Sequence, residues 1–295
     1  MNSELRRFSL KTLPALAFAA LTCSLLPGTA LATAPQPPGK VFKDCKDCPQ
    51  MVVLPAGTFT MGTPDDEVGH EPDESPLHPV TFAQPVAISR FQVLKGEWDA
   101  YLRDTGYRMP DGDERPGREC KAGIPRYEYG ARHPAVCMDF AEANAYVAWL
   151  SKKTGQQYRL VSEALREYAA RAGSSGPFPF PFDEGKAYSI AKHANTYGAA
   201  DGYNFTAPAG RFPANAFGLY DLHGNVYEWT ADCYNDSYVN APADGSAWLS
   251  GQCEFKRIRG NDWGEAPVFS RSGNRNALAP AERGDWIGFR VARDL

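Results

Sequence analysis

The 295-residue sequence has little excess charge, since 31 Lys and Arg residues stand against 35 Asp and Glu residues for a formal net charge of −4. The missing cationic excess argues against nucleic acid or an anionic membrane surface as a partner. The sequence also lacks an apolar run long enough for a membrane span, because Leu13–Leu26 is shorter than the ~20 residues that a span needs. A hydrophobic content of 43% is nevertheless typical of a globular protein. We therefore expect a folded domain with no nucleic-acid partner and no membrane anchor after N-terminal processing.

Residues 1–34 have the composition of a secretory signal peptide. Arg6 and Arg7 lie in a basic segment ahead of Leu13–Leu26, and small residues permit cleavage after Ala34. The arginine pair also resembles a twin-arginine signal, which exports folded proteins, whereas a general secretory signal would use the same residues as simple charges. Both alternatives predict export to the periplasm.

Cleavage there leaves six of the seven cysteines, and an even number indicates a disulfide framework in an exported chain. Six cysteines allow fifteen pairings, of which pairing between sequence neighbours is the simplest. The first pair forms a Cys-x-x-Cys motif, for which a redox or metal site is the alternative. Residues 35–50, which carry this motif, are expected to be a linker ahead of one domain over residues 51–295. The neighbour pairs are Cys45–Cys48, Cys120–Cys137 and Cys233–Cys253.

Glycine and proline are abundant, with 27 and 24 residues, and favour a loop-rich fold built from short elements. Met51–Leu54 has the apolar character of a buried strand. Apolar spacing and capping residues predict three helices. These helices cover Lys95–Thr105, the segment from Asp139 to Gly155, and the segment from Ser162 to Gly173.

Four sequence blocks carry a family resemblance: Met51–Gly62, Tyr158–Gly173, Asn215–Trp229, and Arg259–Trp263 followed by Ile287–Arg290. In this order they resemble the formylglycine-generating enzyme, or sulfatase-modifying factor, family. The third block is the most specific, and together the blocks span nearly the whole predicted domain. The resemblance implies an α+β fold of the C-type-lectin-like kind, loop-rich and with little regular secondary structure. The glycine and proline content agrees with that fold.

The resemblance also implies two structural calcium sites, each with two side chains and two backbone carbonyls as ligands. Oxygen ligands of this kind suit Ca²⁺. The alternative is that the acidic side chains only cap turns in a polar loop. The first ligand set is Asp221, Gly224, Val226 and Glu228, and the second is Asn195, Thr196, Asp201 and Tyr203.

The chain departs from the family at the two cysteines that hold copper in formylglycine-generating enzymes. Glu265 and Ser270 stand at these positions, and no cysteine follows Cys253. Carboxylate and hydroxyl groups are poor ligands for Cu(I), which prefers thiolates. The preceding Gly-Gly-Ser-Trp/Tyr motif has become Gly-Asn-Asp-Trp at Gly260–Trp263, and Tyr227 stands where a tryptophan is usual. These substitutions exclude a copper cofactor and sulfatase activation, and they leave any redox cofactor undefined.

A second branch of the family holds iron with a His-x3-His-x-Glu motif, and the five histidines of this chain do not have that spacing. Exported members without the copper cysteines, which this chain resembles, complete the chromophore of a pyoverdine-type peptide siderophore. The resemblance therefore implies a periplasmic maturation enzyme that oxidises or tautomerises a peptidic small-molecule precursor. A non-catalytic, lectin-like binding or accessory module is the alternative.

Two carboxylates, Asp262 and Glu265, are the candidate catalytic groups, because acids that share a pocket can serve as base and acid. The competing interpretation is that both are solvated or bond to arginines. We predict that Glu265 is the general base and that an arginine holds a substrate carboxylate. The predicted substrate pocket consists of Tyr227, Trp263, Ser270, Arg275 and Arg290.

Two loops complete the prediction. The acidic loop from Pro64 to Ser75 is expected to face solvent. The loop from Arg108 to Arg132 is expected to face the substrate, because its arginines suit an acidic peptide. These arginines are Arg115, Arg118, Arg126 and Arg132.

Overall fold

A computed structural model describes residues 37–112, 119–183 and 190–295, and the predicted signal peptide lies outside these ranges. The described chain combines helices, mixed sheets and long loops, which confirms the expected α+β class. The helices are α1 Lys95–Thr105, α2 Phe140–Thr154 and α3 Glu163–Arg171, with 3₁₀ turns at Pro72–Glu74, Ala199–Asp201 and Pro267–Ser270. The strands are β1 Val41–Phe42, β2 Met51–Leu54, β3 Gly57–Met61, β4 His78–Phe82, β5 Val86–Ser89, β6 Cys120–Lys121, β7 Ile124–Pro125, β8 Tyr158–Leu160, β9 Tyr227–Tyr234, β10 Gln252–Arg259, β11 Asn276–Leu278, β12 Ile287–Phe289 and β13 Val291–Asp294.

The larger sheet has the strand order β1-β2-β5-β13-β8 and brings the two ends of the domain together. The predicted strand β2 is buried along its whole length and pairs antiparallel with β5, with Val52 opposite Ile88. The C-terminal strand β13 lies between β5 and β8, with Val291 opposite Leu160. Because α3 begins three residues after β8 ends at Leu160, this sheet fixes where α3 starts.

A second sheet, in the order β11-β10-β9-β12, carries the candidate site. β9 and β10 are antiparallel, with Ile258 opposite Trp229, and β12 runs parallel to β9. The sequence analysis missed both long strands. β9 does alternate apolar and polar residues, but glycines and asparagines around it favour a loop. β10 alternates polar and apolar residues only as far as Lys256, and its register shifts between Lys256 and Ile258.

The three predicted helices are confirmed. α1 ends at Gly106, which adopts a left-handed φ of 70°. α2 begins after Asp139, whose carboxylate accepts a hydrogen bond from a backbone amide of the first turn, and it ends at Gly155. α3 begins after Ser162, whose hydroxyl accepts a hydrogen bond from Leu165 N. In the described ranges, no helix has both the length and the apolar character of a membrane span.

The predicted pairing of sequence-neighbour cysteines is confirmed by disulfides at Cys45–Cys48, Cys120–Cys137 and Cys233–Cys253. The first of these lies in the segment expected to be a linker. There, β1 pairs with β2, and Cys48 is fully buried. This part of the expected linker is therefore packed into the main sheet. The sequence did not indicate this, because a two-residue strand beside a disulfide is too short to give a periodic signal.

The acidic loop is only partly as expected: Asp65, Asp66 and Glu71 face solvent, whereas the other three acids are held by ion pairs. The Arg271 guanidinium lies 2.8 Å from the carboxylates of Glu67 and Glu74, and Glu74 is fully buried. Arg257 pairs with Asp73 at 2.8 Å. The partners of these acids lie far along the chain, so the sequence showed only a run of like charge.

The buried acid Glu97 in the first turn of α1 makes stability depend on pH. Burial raises the pKa of Glu97 to about 7, although its carboxylate accepts a hydrogen bond from Leu94 N at 2.9 Å. Because the folded pKa exceeds the unfolded value of 4.5, the protein loses stability as the pH rises through this interval.

We predict that Glu97→Gln raises the Tm at pH 8 and leaves it nearly unchanged at pH 4, as measured by calorimetry. Equal gains at both pH values would contradict this account, and the exposed Glu254→Gln serves as the control.

Candidate functional site

The second sheet brings the starts of three strands to one edge. β9, β11 and β12 run in the same direction, because β9 and β11 are antiparallel to β10 and β12 is parallel to β9. Tyr227 and Asn276 are the first residues of β9 and β11, and β10 ends at the same edge with Arg259. The loop that follows β10 carries Asp262 and Glu265, so both candidate acids begin at this edge.

Tyr227 and Glu265 form the polar centre of the candidate site. The Tyr227 hydroxyl donates a hydrogen bond to Glu265 Oε2 at 3.1 Å and accepts one from Asn276 Nδ2 at 3.4 Å. Tyr227 is 2% exposed, whereas Glu265 is half-buried and Asn276 is exposed. Burial, together with the negative charge of Glu265, raises the pKa of Tyr227 well above its usual value. The phenol is therefore protonated at neutral pH.

Asp262 differs from Glu265 in being buried, with an exposure of 1%. Its Oδ1 accepts a hydrogen bond from Gly264 N at 2.7 Å, which shapes the loop between the two acids. Its negative charge also contributes to the raised pKa of Tyr227. The competing interpretation of two solvated acids therefore fails for Asp262, and Glu265 is the more accessible of the two.

Aromatic rings form one wall beside Trp263. The Trp263 ring meets Phe205 edge-on with centroids 5.1 Å apart, and Phe205 stacks on Tyr127 at 4.6 Å. The Trp263 indole N–H donates to Asp285 O at 3.3 Å, which fixes the ring. The Arg126 guanidinium lies 5.3 Å from the Phe205 centroid. Rings and a cation in this arrangement can bind a planar group together with a negative charge.

Sequence reasoning missed several residues that surround the Tyr227 hydroxyl and the aromatic wall. Trp286 meets Tyr227 edge-on with centroids 5.9 Å apart, and its carbonyl accepts a hydrogen bond from Tyr227 N at 2.9 Å. Asn276, Tyr127 and Phe205 come from three further segments of the chain. None of them lies in a motif, so only the predicted substrate-facing loop gave a signal, and only for Tyr127.

Ser270, which stands at the position of the second copper cysteine, lies in the interior of the protein and does not line the site beside Glu265. It is fully buried, and its hydroxyl accepts a hydrogen bond from Asn261 Nδ2 at 2.8 Å. Its carbonyl accepts one from His223 Nδ1 at 2.7 Å. Burial lowers the pKa of His223 to about 4, so the ring is neutral. Ser270 therefore supports the loop, and its position does not suit the predicted role in the substrate pocket.

The sequence predicts that Arg275 or Arg290 holds a substrate carboxylate, but the structure places both in buried ion pairs. Arg275 Nε lies 2.7 Å from Glu163, and Arg290 Nε lies 3.0 Å from Glu228. Each guanidinium also donates to a backbone carbonyl. The prediction is therefore wrong for both arginines, because their charges are neutralised by acids that lie far away in the sequence.

The arginine-rich loop is described only in part, since Arg115 and Arg118 lie outside the described residues. Arg126 is half exposed beside the aromatic wall and pairs loosely with Glu119 at 3.6 Å. Arg132 instead donates to a backbone carbonyl at 2.8 Å. Of these two arginines, Arg126 is the one placed to meet a ligand.

The first predicted calcium set is occupied by contacts within the protein. Glu228 is fully buried, and its carboxylate lies 2.7 Å from Arg166 and 3.0 Å from Arg290. Gln92 Nε2 donates to the same carboxylate at 3.1 Å. Adding a divalent cation beside two buried guanidinium groups would leave positive charge uncompensated. Glu228 therefore does not fit a calcium ligand.

The other members of the first set give a mixed result. The carbonyls of Gly224 and Val226 already accept hydrogen bonds, from Val226 N at 3.0 Å and from Gln92 Nε2 at 3.1 Å. Asp221 alone keeps a carboxylate oxygen without a hydrogen-bond partner in the described part of the chain. Burial raises the pKa of Asp221 to about 6. The ion pairs of Glu228, rather than these hydrogen bonds, therefore argue against calcium at the first set.

The second predicted calcium set fits a cation better. Asn195 is 1% exposed, and its Oδ1 has no hydrogen-bond partner among the described residues. The Asp201 carboxylate accepts hydrogen bonds from Thr196 N and Tyr203 N, both at 2.9 Å, which brings the four residues into one turn. Burial raises the pKa of Asp201. No ion pair of Asp201 is seen within the described ranges, and a buried amide oxygen together with such a carboxylate suits Ca²⁺.

Comparison with known proteins identifies the family. Residues 37–295 match the sulfatase-modifying factor enzyme 1-like domain. The solved structure of PvdO from Pseudomonas aeruginosa is 72% identical with a TM-score of 0.86, and the match covers 88% of this chain and 100% of that chain. The formylglycine-generating enzyme of Mycobacterium tuberculosis is 29% identical over 66% of this chain and 78% of its own length. The serine/threonine-protein kinase Pkn1 of Chlamydia trachomatis is 29% identical over 83% of this chain, which spans 38% of that protein. The chain belongs to the sulfatase-modifying factor family, and the fold expected from the sequence is confirmed.

We predict that Arg275→Met unfolds more easily than the wild type, because it leaves Glu163 buried without its closest cation. Breaking a buried pair in this way costs about 3–5 kcal/mol, which denaturant titration measures. Adding Glu163→Gln to this variant should recover part of the loss. Arg126→Met is the control, since Arg126 is half exposed. Equal stability of the two single variants would contradict the structural role of Arg275.

We predict one tightly bound calcium ion per chain, in the turn of Asn195 and Asp201. Chelation should lower the Tm, since an ion at 100 times its Kd stabilises the fold by about 2.7 kcal/mol. Asp201→Asn should abolish both the bound calcium and the effect of chelation. Asp244→Asn is the matched control, because Asp244 makes a similar turn by accepting a hydrogen bond from Ser246 N at 3.0 Å on the surface. Elemental analysis that finds two ions or none would contradict the prediction.

Proposed function

We propose that this member of the sulfatase-modifying factor family is an exported maturation enzyme. Its substrate would be a peptidic small molecule, a precursor of a pyoverdine-type siderophore, which it oxidises or tautomerises. The observation that carries the proposal is the Tyr227–Glu265 hydrogen bond of 3.1 Å, which holds a partly exposed carboxylate where relatives have a copper thiol. The 72% identity to PvdO supports the siderophore branch of the family.

The proposal excludes formylglycine formation, because the domain has no free thiol. All six cysteines in residues 37–295 are in disulfides. Glu265 and the buried Ser270 are not suited to hold Cu(I), and neither can relay disulfide exchange. A reaction at this site therefore proceeds without a protein thiolate.

Glu265 is the group placed to move a proton. A half-buried carboxylate held by a hydrogen bond suits a general base, which takes a proton from an acidified C–H, N–H or O–H bond of the substrate. In a tautomerisation, the same group returns the proton to a different substrate atom, so no further reactant is needed.

The aromatic wall supports a substrate with a planar ring. Trp263, Phe205 and Tyr127 form a cluster of partly exposed rings, in which Phe205 stacks on Tyr127 and Trp263 stands edge-on to Phe205. Arg126 beside Phe205 adds a positive charge that would attract an acidic peptide or a ring substituent with negative charge. Ring and charge together match a peptidic molecule that carries an aromatic group.

We further propose that residues 1–34 direct export to the periplasm. Three disulfides in one domain suit an oxidising compartment. Calcium in the turn of Asn195 and Asp201 would be structural, since the ion would replace regular secondary structure in a loop-rich region.

A non-catalytic binding module is the second candidate. The aromatic wall and Arg126 favour it, because such a surface binds a ligand without any need for a base. A module predicts that the ligand is retained without turnover. It also predicts that Glu265→Gln and Asp262→Asn are tolerated equally well.

Metabolite analysis of a deletion strain separates the two candidates. An enzyme predicts that a siderophore precursor accumulates and that added pure protein converts it. Glu265→Gln should then slow the conversion by about 10²–10⁴-fold, the usual contribution of a general base. Glu254→Gln, on the exposed part of β10, is the matched control and should convert at the wild-type rate.

Two outcomes would contradict the proposal. Normal conversion by Glu265→Gln would remove the catalytic assignment. A deletion strain with an unchanged set of siderophore-like products would favour the binding module.

A further inference from the structure

Residues that depart from the family pattern are hydrogen-bonded to one another. According to the family resemblance, Glu265 and Ser270 stand at the positions of the two copper cysteines, Tyr227 at that of a tryptophan, and Asn261 at that of the second glycine of the Gly-Gly-Ser-Trp/Tyr motif. The Tyr227 hydroxyl donates to Glu265 at 3.1 Å, and Asn261 Nδ2 donates to Ser270 Oγ at 2.8 Å. Each replaced thiol therefore has a replaced residue as its partner.

The Asn261–Ser270 pair has a structural role. Both residues are fully buried. Asn261 has a φ of 69°, a left-handed conformation that glycine adopts freely and asparagine tolerates better than most residues. Its amide also donates to Ala266 O at 3.1 Å. This pair therefore closes the loop from inside, where no ligand reaches it.

The Tyr227–Glu265 pair is placed differently. Glu265 is half-buried, and the exposed Asn276 lies at the other side of the Tyr227 hydroxyl. Because Asn276 Nδ2 donates to the phenol oxygen, the phenol proton is directed at Glu265 Oε2. A tryptophan at position 227 would have no hydroxyl for this bond. The tyrosine thus supplies a donor to the glutamate that replaced the thiol.

We infer that Tyr227 is a positioning residue for Glu265, whose carboxylate it orients while Asn276 fixes the direction of the bond. This inference rests on the proposed role of Glu265 as general base. A hydrogen bond donated to a carboxylate favours its charged form and lowers its pKa. The raised pKa of Tyr227 keeps the phenol protonated and able to donate. A base in one orientation and one protonation state is what a proton transfer requires.

The first test is the pH dependence of turnover in Tyr227→Phe, which removes the hydroxyl and keeps the ring. We expect the acid limb of kcat/KM to move to higher pH by about one unit, because Glu265 loses a donor. Tyr227→Trp, which restores the family residue, should move it in the same direction. Tyr107→Phe is the matched control, since the Tyr107 hydroxyl donates to Glu142 at 2.6 Å outside the site. A profile that stays at the wild-type position in folded Tyr227→Phe would overturn the inference.

The second test does not depend on activity. In protein labelled with ¹³C at glutamate carboxyl carbons, the Glu265 signal is identified by its loss in Glu265→Gln, and its titration midpoint is measured by NMR. The midpoint should rise in Tyr227→Phe and stay unchanged in Tyr107→Phe. Should Tyr227→Phe not fold, Asn276→Ala at its exposed position should give a smaller rise. An unchanged midpoint would overturn the inference.

The two tests also separate this inference from the proposed function. A raised midpoint together with normal conversion by Glu265→Gln would uphold the pairing of Tyr227 and Glu265 and refute the catalytic role of Glu265. An unchanged midpoint together with loss of conversion in Glu265→Gln would do the reverse.

Discussion

Buried arginine–carboxylate pairs tie α3 to the second sheet, and the candidate site depends on them. Arg166 of α3 lies 2.7 Å from Glu228 on β9, and Arg259 at the end of β10 lies 2.5 Å from Glu167 of α3. Buried ion pairs add little net stability, because desolvation offsets their attraction. The pairs instead fix the position of α3 relative to β9 and β10, since a guanidinium group donates hydrogen bonds only in fixed directions. The loops between α3 and β9 are held by further hydrogen bonds, such as those from Asn215 Nδ2 to Ala169 O and from His223 Nδ1 to Ser270 O, and the ion pairs add direct links from α3 to β9 and β10.

The alternation of β9 transmits this constraint to the site. Successive side chains of a strand point to opposite faces, so Glu228 faces the arginines while its neighbour Tyr227 faces the other way. Thr230 and Asp232 lie on the same face as Glu228 and are buried as well, and Asp232 accepts a hydrogen bond from Glu163 N at the start of α3. The polar face of β9 therefore has a structural role. The hydroxyl of the candidate site belongs to Tyr227, the first residue on the opposite face of the strand.

What could be predicted from the sequence follows the range of the interactions. Asp139 and Ser162 cap helices through contacts with their own first turns, so local pattern located the helices. Arg275 looked like a substrate ligand because its partner Glu163 lies 112 residues away. Ser270 and Glu265 are five residues apart and seemed equivalent. Ser270 is the last residue of the 3₁₀ turn Pro267–Ser270 and is fully buried. Glu265 precedes this turn and is only half-buried. The sequence gives the type of every residue, but it predicts the contacts of a side chain only where the partners are close in the sequence.

The two sides of the Tyr227–Glu265 pair have different backbone surroundings, and in the described part of the chain only one of them contains an observed cation. On the Tyr227 side, the Glu228 carboxylate already pairs with both Arg166 and Arg290, and a calcium ion on the same carboxylate would add further buried positive charge. On the Glu265 side, the Glu265 carbonyl accepts a hydrogen bond from Tyr197 N at 2.9 Å, and Tyr197 lies inside the turn proposed to hold calcium. The arginine side chains support the Tyr227 side at any metal concentration, because they are part of the chain. The proposed calcium ion would support the backbone on the Glu265 side, and it can dissociate. Loss of that ion would therefore act first on the glutamate and only through it on the tyrosine.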